Sequence, residues 1–168
     1  MIADYDIGLG QTDDIPGILA LQESNLAGRG GSLSVHQTAD WFRHAIFETS
    51  LVVGRRESTV IGYVLETSLA ANAHVMVIQE MLRAFPPPPC CYVYGPICVA
   101  ETERGKGLAG ALFAALQVSM AGRPAVTFIR ADNSSSLRAH QKMGMSELGP
   151  FVHDHVRYTA LSYLSYNC

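Results

Sequence analysis

The sequence is poor in charge and in tryptophan, and it lacks the runs that mark several large protein classes. Of its 168 residues 16% are charged and one is Trp. No long run of Lys and Arg occurs and the formal net charge is -3. A nucleic acid, which is held by concentrated positive charge, is therefore not an expected partner. No uninterrupted apolar run reaches the ~20 residues that a bilayer-spanning helix needs, so a membrane is not expected either. The first residues include Asp4, Tyr5 and Asp6 in place of a basic region leading into an apolar one; no signal peptide is expected, and the chain reads as cytoplasmic. Cysteine is scarce. The four, Cys90, Cys91, Cys98 and Cys168, have neither the spacing of a zinc site nor the density of a disulfide framework. Reduced thiols, several of them buried, are the expectation. His153-Asp154-His155 places two histidines on one face of a strand but offers no third ligand, so no metal is expected and a hairpin tip fits better.

What the chain does have is apolar material, 48% of its residues, spread without a disordered stretch. A single domain over residues 1–168 is expected. Alternation marks a strand from Tyr5 to Gly10. Thr12-Asp13-Asp14 offers helix caps, Pro16 suits a first turn, and Ile15, Ile18, Leu19 and Leu26 give a helix ending near Gly28. Gly28 to Ser32 reads as a loop, and Gln37 to Glu48 as a helix with Trp41, Phe42 and Ala45 inward. Ser50–Gly54 and Val60–Ser68 read as strands joined by a turn at Arg56-Glu57-Ser58. Asn72 is a candidate cap for a helix whose inward face is Val75, Ile78, Leu82 and Phe85; Pro86 must end it, and Pro86 to Pro89 should run extended. A strand follows over Cys91–Tyr94 and continues at Ile97–Val99. Then come a helix with the stripe Leu108, Leu112, Leu116 and Met120, a strand over Ala125–Ile129, a helix from Asn133 to Met143, and a final hairpin or strand within Phe151–Leu164. The order predicts a mixed α/β domain with an antiparallel start and a βαβ-like centre.

The most informative stretch is Arg104-Gly105-Lys106-Gly107-Leu108-Ala109-Gly110, which follows a strand and opens a helix. A helix start exposes unpaired N–H groups at the positive end of the helix dipole. Glycine lets an anion approach that backbone, and Arg104 and Lys106 add charge, so a diphosphate is the natural ligand. The P-loop pattern fails, since Gly107 follows Lys106 where Ser or Thr is required and Ala100 stands at its first glycine. The dinucleotide pattern G-x-G-x-x-G is met by Gly105, Gly107 and Gly110, with Asp132 at a plausible distance for a ribose. Against it, Ala100 to Arg104 lengthen the turn, and too little chain follows Asp132 for a doubly wound sheet.

A third pattern fits better. Arg104, Gly107 and Ala109 after the strand ending at Val99 resemble the Q/R-x-x-G-x-G/A acetyl-CoA motif of the GNAT N-acetyltransferase superfamily. Asn133 to Met145, with an Asn-led helix and Lys142-Met143-Gly144-Met145, is similar to that family's second element. The resemblance implies an α/β (α+β) fold: a mainly antiparallel sheet of six or seven strands, helices on both faces, and a splayed strand pair at the centre. Residues 72–89 would then be a helix and Pro-rich insertion ahead of the cofactor-binding strand. It implies acetyl-CoA as co-substrate and acetyl transfer to the amine of a small molecule or peptide. Gly95-Pro96 would break the strand so that coenzyme A's pantetheine arm enters beside it. Ile97, Cys98 and Val99 would bond the arm, Arg104 to Gly110 the diphosphate, and Asn133, Ser136 and His140 would line the cofactor, Asn133 also serving as a helix cap.

For chemistry, the resemblance places His140 where many members carry a tyrosine that protonates the departing thiolate. Glu66, His74, Glu101 and Asp132 are candidate bases, which the sequence does not rank. Cys98 lies near the expected thioester, which raises an acetyl-cysteine route, though no base stands next to it in sequence. A non-catalytic acyl-CoA-binding module on the same fold is the alternative. Oligomeric state, a homodimer included, stays open. Acceptor choice would fall to Leu26–Trp41, to residues 72–89 and to the region near Phe151.

Overall fold

The computed structural model describes residues 5–26, 33 and 36–163. Among them lie seven strands, β1 (Asp6–Leu9), β2 (Val52–Arg56), β3 (Thr59–Ser68), β4 (Tyr92–Val99), β5 (Ala125–Arg130), β6 (Ser146–His153) and β7 (Val156–Tyr163). Five α-helices are interleaved with them: α1 (Ile15–Ser24), α2 (Ala39–Glu48), α3 (Met76–Ala84), α4 (Leu108–Ser119) and α5 (Ser134–Lys142). The chain resolves into two compact units, Met1–Glu66 with Pro96–Met120 and Thr67–Gly95 with Ala121–Cys168. Within the first, the strand order is β1-β2-β3 followed by the second half of β4; within the second it is the first half of β4, then β5, β7 and β6. Pairing is antiparallel for β1–β2, β2–β3, β5–β7 and β6–β7 and parallel for β4–β5, so the mainly antiparallel α/β class and the βαβ-like centre are both present.

In the first unit, strand alternation sends neighbouring residues to opposite faces. Val53, Tyr63, Leu65 and Cys98 pack with Ile15, Ile18 and Leu21 of α1 and Phe42 of α2. On the other face, Gly54 and Gly62 lie under Leu108 and Leu112 of α4. A Cβ on Gly62 would come within 3.0 Å of Leu112 and 3.1 Å of Leu108, so glycine is what lets α4 sit that close. The predicted stripe Leu108, Leu112, Leu116 and Met120 is buried along its whole length. Burying a side chain of that kind is worth about 1.5–3 kcal/mol, so this stripe is what holds α4 on the sheet.

In the second unit, Val93, Val126 and Ala160 meet Ile78 and Met81 of α3 together with Phe151. Tyr94, one residue on from Val93, faces α5, its ring edge-to-face with His140 at a centroid distance of 5.4 Å. The β6–β7 turn holds Asp154 (φ 47) and His155 (φ 63), the hairpin tip expected there.

Several boundaries differ from the sequence reading. The first helix stops at Ser24, not near Gly28, because the Asn25 side chain turns back and donates from Nδ2 to the Leu21 carbonyl at 2.8 Å, ending the ladder. The loop expected at Gly28 to Ser32 lies outside the described residues. Asn72 does not cap α3. It is buried in a short 3₁₀ turn and donates to Thr67 Oγ1 and the Ser68 carbonyl, while α3 begins at Met76 without a side-chain cap. The buried residues of α3 are Ile78 and Met81, whereas Leu82 and Phe85 are half-buried. Cys91 and Cys98 are free and buried, as expected; Cys90 is disulfide-bonded, which corrects the expectation of reduced thiols at that position. No described helix is long and apolar enough to cross a membrane.

Candidate functional site

Gly95 and Pro96 lie within β4, which runs on from Tyr92 to Val99, and change its pairing rather than break it. Gly95 has φ 98, a conformation open to glycine, and Pro96 carries no N–H to give to a ladder. The β4–β5 ladder is confined to Tyr92↔Ala125 and Val93↔Val126, stopping before this pair. In the first unit, β4 continues as Ile97, Cys98 and Val99 beside β3, and the Ala100 N–H donates to the Ile61 carbonyl at 2.8 Å.

Beyond Ala100 the chain makes a 3₁₀ turn over Glu101–Glu103 and enters the glycine-rich loop. Gly105 has φ 74 and Gly107 φ 90. At both, an added Cβ would meet nothing within 4 Å, so the two glycines face open space and are required by backbone conformation alone. Gly107 is the N-cap of α4, and no side chain caps that end. The first intrahelical bond comes from the Ala111 N–H to the Gly107 carbonyl at 3.1 Å. Hence the N–H groups of Leu108, Ala109 and Gly110 have no carbonyl behind them. Those of Gly105 and Gly107 find no acceptor among the described residues. Five amides at or just before the positive end of a helix, next to Lys106 and with no Cβ over Gly105 or Gly107, are the donor set that a diphosphate requires, so the residues present fit one.

Residues far from this loop in the chain hold it in place. Glu103 is buried, at 4% exposure. Its carboxylate accepts from Arg56 at 2.6 and 2.9 Å and from the Tyr5 hydroxyl at 3.2 Å, and Lys106 Nζ stands 3.8 Å away. Arg104, expected on the anion, donates to Asn25 Oδ1 at 2.5 Å and ties the loop to the end of α1. These partners are 47 and 79 residues apart in sequence, a separation that no periodicity reveals.

Cys98 sits in the first unit's core. Burial pushes its thiol up to about 12 against the opposing pull of Arg104, and Sγ donates to the Leu21 carbonyl at 3.7 Å. Such a group is a protonated thiol at neutral pH. Of the four candidate bases, Glu66 is half-buried and the other three are exposed. Glu66 Oε1 accepts from the Ser50 N–H at 3.1 Å. Asp132 is engaged by Arg130 at 2.9 Å.

Asn133, Ser136 and His140 belong to the second unit. Asn133 Oδ1 accepts from the Ser136 N–H at 3.2 Å, the capping role expected of it. His140 is buried, and its Nδ1 lies 2.7 Å from the Ser136 carbonyl. A carbonyl only accepts, so Nδ1 carries the hydrogen and Nε2 the lone pair. Burial lowers the imidazole below its ordinary value of 6.5, the Ser136 carbonyl opposing, so the ring is neutral at pH 7. His153, at the hairpin, meets Glu80 of α3 at 3.0 Å.

The model of the acetyltransferase (GNAT) family matches residues 18–145. No curated protein matches the sequence significantly. Among solved structures, an N-acetyltransferase from Staphylococcus aureus Mu50 superposes with a TM-score of 0.69 at 21% identity, over 96% of this chain and 98% of that one. A ribosomal-protein-alanine N-acetyltransferase from Brucella melitensis gives 0.71 at 17% identity, over 95% and 99%. The protein yncA of Salmonella typhimurium, solved with its cofactor acetyl-CoA, gives 0.70 at 14% identity, over 96% and 94%. At these identities the structures establish the shared fold. Acetyl-CoA-dependent N-acetyl transfer is the general kind of reaction in the matched family. With that match running from α1 through the glycine-rich cradle to Met145, this chain belongs to the acetyltransferase (GNAT) family.

Proposed function

We propose that the chain, as one cytoplasmic acetyltransferase domain, transfers the acetyl group of acetyl-CoA to a primary amine of a small molecule or peptide. The observation that carries this reading is the uncapped start of α4, where Gly105 and Gly107 face open space. The amides of this turn bind the diphosphate, with Lys106 adding charge. Ile97, Cys98 and Val99 offer backbone groups to the pantetheine arm, and a backbone N–H aimed at the thioester oxygen lowers the barrier, such a donor being worth about 3 kcal/mol.

The acetyl group leaves a thioester, which an uncharged amine attacks directly. Glu66 is the base we assign. It is half-buried, one oxygen is fixed by the Ser50 N–H, and Oε2 has no partner among the described residues. Cys98 does not form an acetyl-enzyme, since its thiol is held protonated by burial. His140 is neutral, with Nδ1–H committed to its own helix, and so has no proton to give at pH 7. Its backbone carbonyl accepts from the Met143 and Met145 N–H groups, both at 3.1 Å, at the end of α5.

The test is acetyl-CoA-dependent release of free thiol across a panel of small amines and peptides. Release that requires both acetyl-CoA and one class of amine is expected. Tight acetyl-CoA binding with no thiol release from any amine would leave a non-catalytic acyl-CoA-binding module in its place.

A further inference from the structure

Beneath the cradle lies a charge arrangement that binds no ligand itself. Glu103 is one of the few buried acids of the described chain, and it sits immediately before the loop that is to hold an anion. A carboxylate there opposes anion binding unless it is neutralised. Arg56, from the end of β2, supplies that with two hydrogen bonds of 2.6 and 2.9 Å, and Arg56 also lies over the Tyr5 ring at 5.5 Å. Tyr5 adds its hydroxyl at 3.2 Å. Glu103 is tied by its backbone as well: its N–H donates to the Ala100 carbonyl at 2.9 Å, and its carbonyl accepts from the Lys106 N–H at 3.4 Å. The loop between Glu103 and Gly107 is therefore held at its base by Glu103, fixed through both side chain and backbone, with Arg104 tied to Asn25 beside it, while a Cβ added at Gly105 or Gly107 would meet nothing within 4 Å.

We infer that the Arg56–Glu103 pair is the positioning device of the diphosphate cradle: it fixes the loop's base so that amides with no packing of their own stay converged on the anion. The inference rests on the cradle reading under Proposed function. Arg56 and Glu103 touch neither thioester nor amine; they act through the backbone of residues 104 to 107. Glu103 is buried and Arg56 half-exposed, so losing Arg56 leaves the Glu103 carboxylate uncompensated, while losing the carboxylate removes the two hydrogen bonds that fix the loop's base; in either case the loop is free to move. The loss then falls on diphosphate contacts and spares the acetyl-transfer step.

The experiment compares two acetyl donors, acetyl-CoA and S-acetylpantetheine, which carries the same thioester without the diphosphate. Glu103→Gln, Arg56→Gln and the milder Arg56→Lys are each measured with both, after circular dichroism confirms that they fold. Expected is a rise of about tenfold in KM for acetyl-CoA, the worth of one charge-assisted hydrogen bond, with kcat little changed. Expected too is unchanged kcat/KM for S-acetylpantetheine, and a smaller KM rise in Arg56→Lys, which keeps the charge but loses the two-pronged contact. Equal losses with both donors, or no loss with either, would overturn the positioning role. If the wild-type chain itself shows no preference for acetyl-CoA over S-acetylpantetheine, the cradle reading falls and this inference with it.

Discussion

Gly107→Ala separates the conformational demand on the loop from its demand as a binding surface. Gly107 has φ 90, and an added Cβ finds nothing within 4 Å. There is no clash to relieve, so the folding cost is that of a left-handed alanine, about 1–2 kcal/mol. For a domain of this size that is a fall in Tm of roughly 2–8 °C. Binding should suffer more. The methyl group stands in the open space beside amides that have no other partner, and loss of one hydrogen bond to a charged group costs about 1.5–3 kcal/mol, or roughly ten- to a hundredfold in Kd. Differential scanning fluorimetry gives the first quantity and titration calorimetry with acetyl-CoA the second. An alanine variant with the expected Tm loss but an unchanged Kd for acetyl-CoA would refute the reasoning, since the loop's shape would then matter to folding and not to the anion.

Three further outcomes follow from the geometry. Glu66→Gln should lower kcat by about a hundredfold or more at neutral pH with KM for acetyl-CoA unchanged, the usual scale for loss of a general base; a tenfold effect or less would return the role to another group. Cys98→Ala should keep its turnover, because a thiol pushed up to about 12 is not a nucleophile at pH 7; loss of turnover together with a trapped acetyl-enzyme in the wild type would restore the covalent route. His140 is neutral in the folded chain and titrates below its ordinary value of 6.5, so the unfolded chain binds the extra proton first. Stability should therefore fall as pH drops below about 6.5, and His140→Phe should flatten that slope in urea denaturation followed from pH 7.5 to 5.5, with kcat at pH 7 falling less than tenfold. A slope that is the same in both proteins would contradict the buried neutral imidazole, and a drop in kcat of a hundredfold would reinstate it as the acid.

Local patterns carried much of this fold. The stripe from Leu108 to Met120, the Asn133 cap and the uncapped glycine turn are short-range features, each decided by a few neighbouring residues, and each is present in the structure; at Gly95-Pro96 the strand runs on, and only its ladder to β5 stops short of the pair. Asn72 was misread because a helix cap and a turn residue look alike in sequence. Its amide goes back to Thr67 and Ser68, and only the path of β3 into the turn decides that. Met81 lies three residues after Ile78 and completes the buried face of α3, a position that helical spacing allows equally to Met81 and Leu82. The supports of the site were beyond sequence reading altogether. Arg56 with Glu103, and Asn25 with Arg104, are ordinary surface residue types joined across distant segments, and nothing near either partner announces the other. The chemistry of Cys98 and His140 was equally hidden, because burial sets their protonation and burial comes from packing.

The most direct measurement is an amide ¹H–¹⁵N titration of the wild-type chain with coenzyme A and, separately, with inorganic pyrophosphate. The account predicts that both ligands shift the amides of Gly105, Gly107, Leu108, Ala109 and Gly110 most, and that pyrophosphate leaves Ile97 to Val99 almost unmoved while coenzyme A shifts them. Coenzyme A binding that leaves the Gly105 to Gly110 amides in place would contradict it.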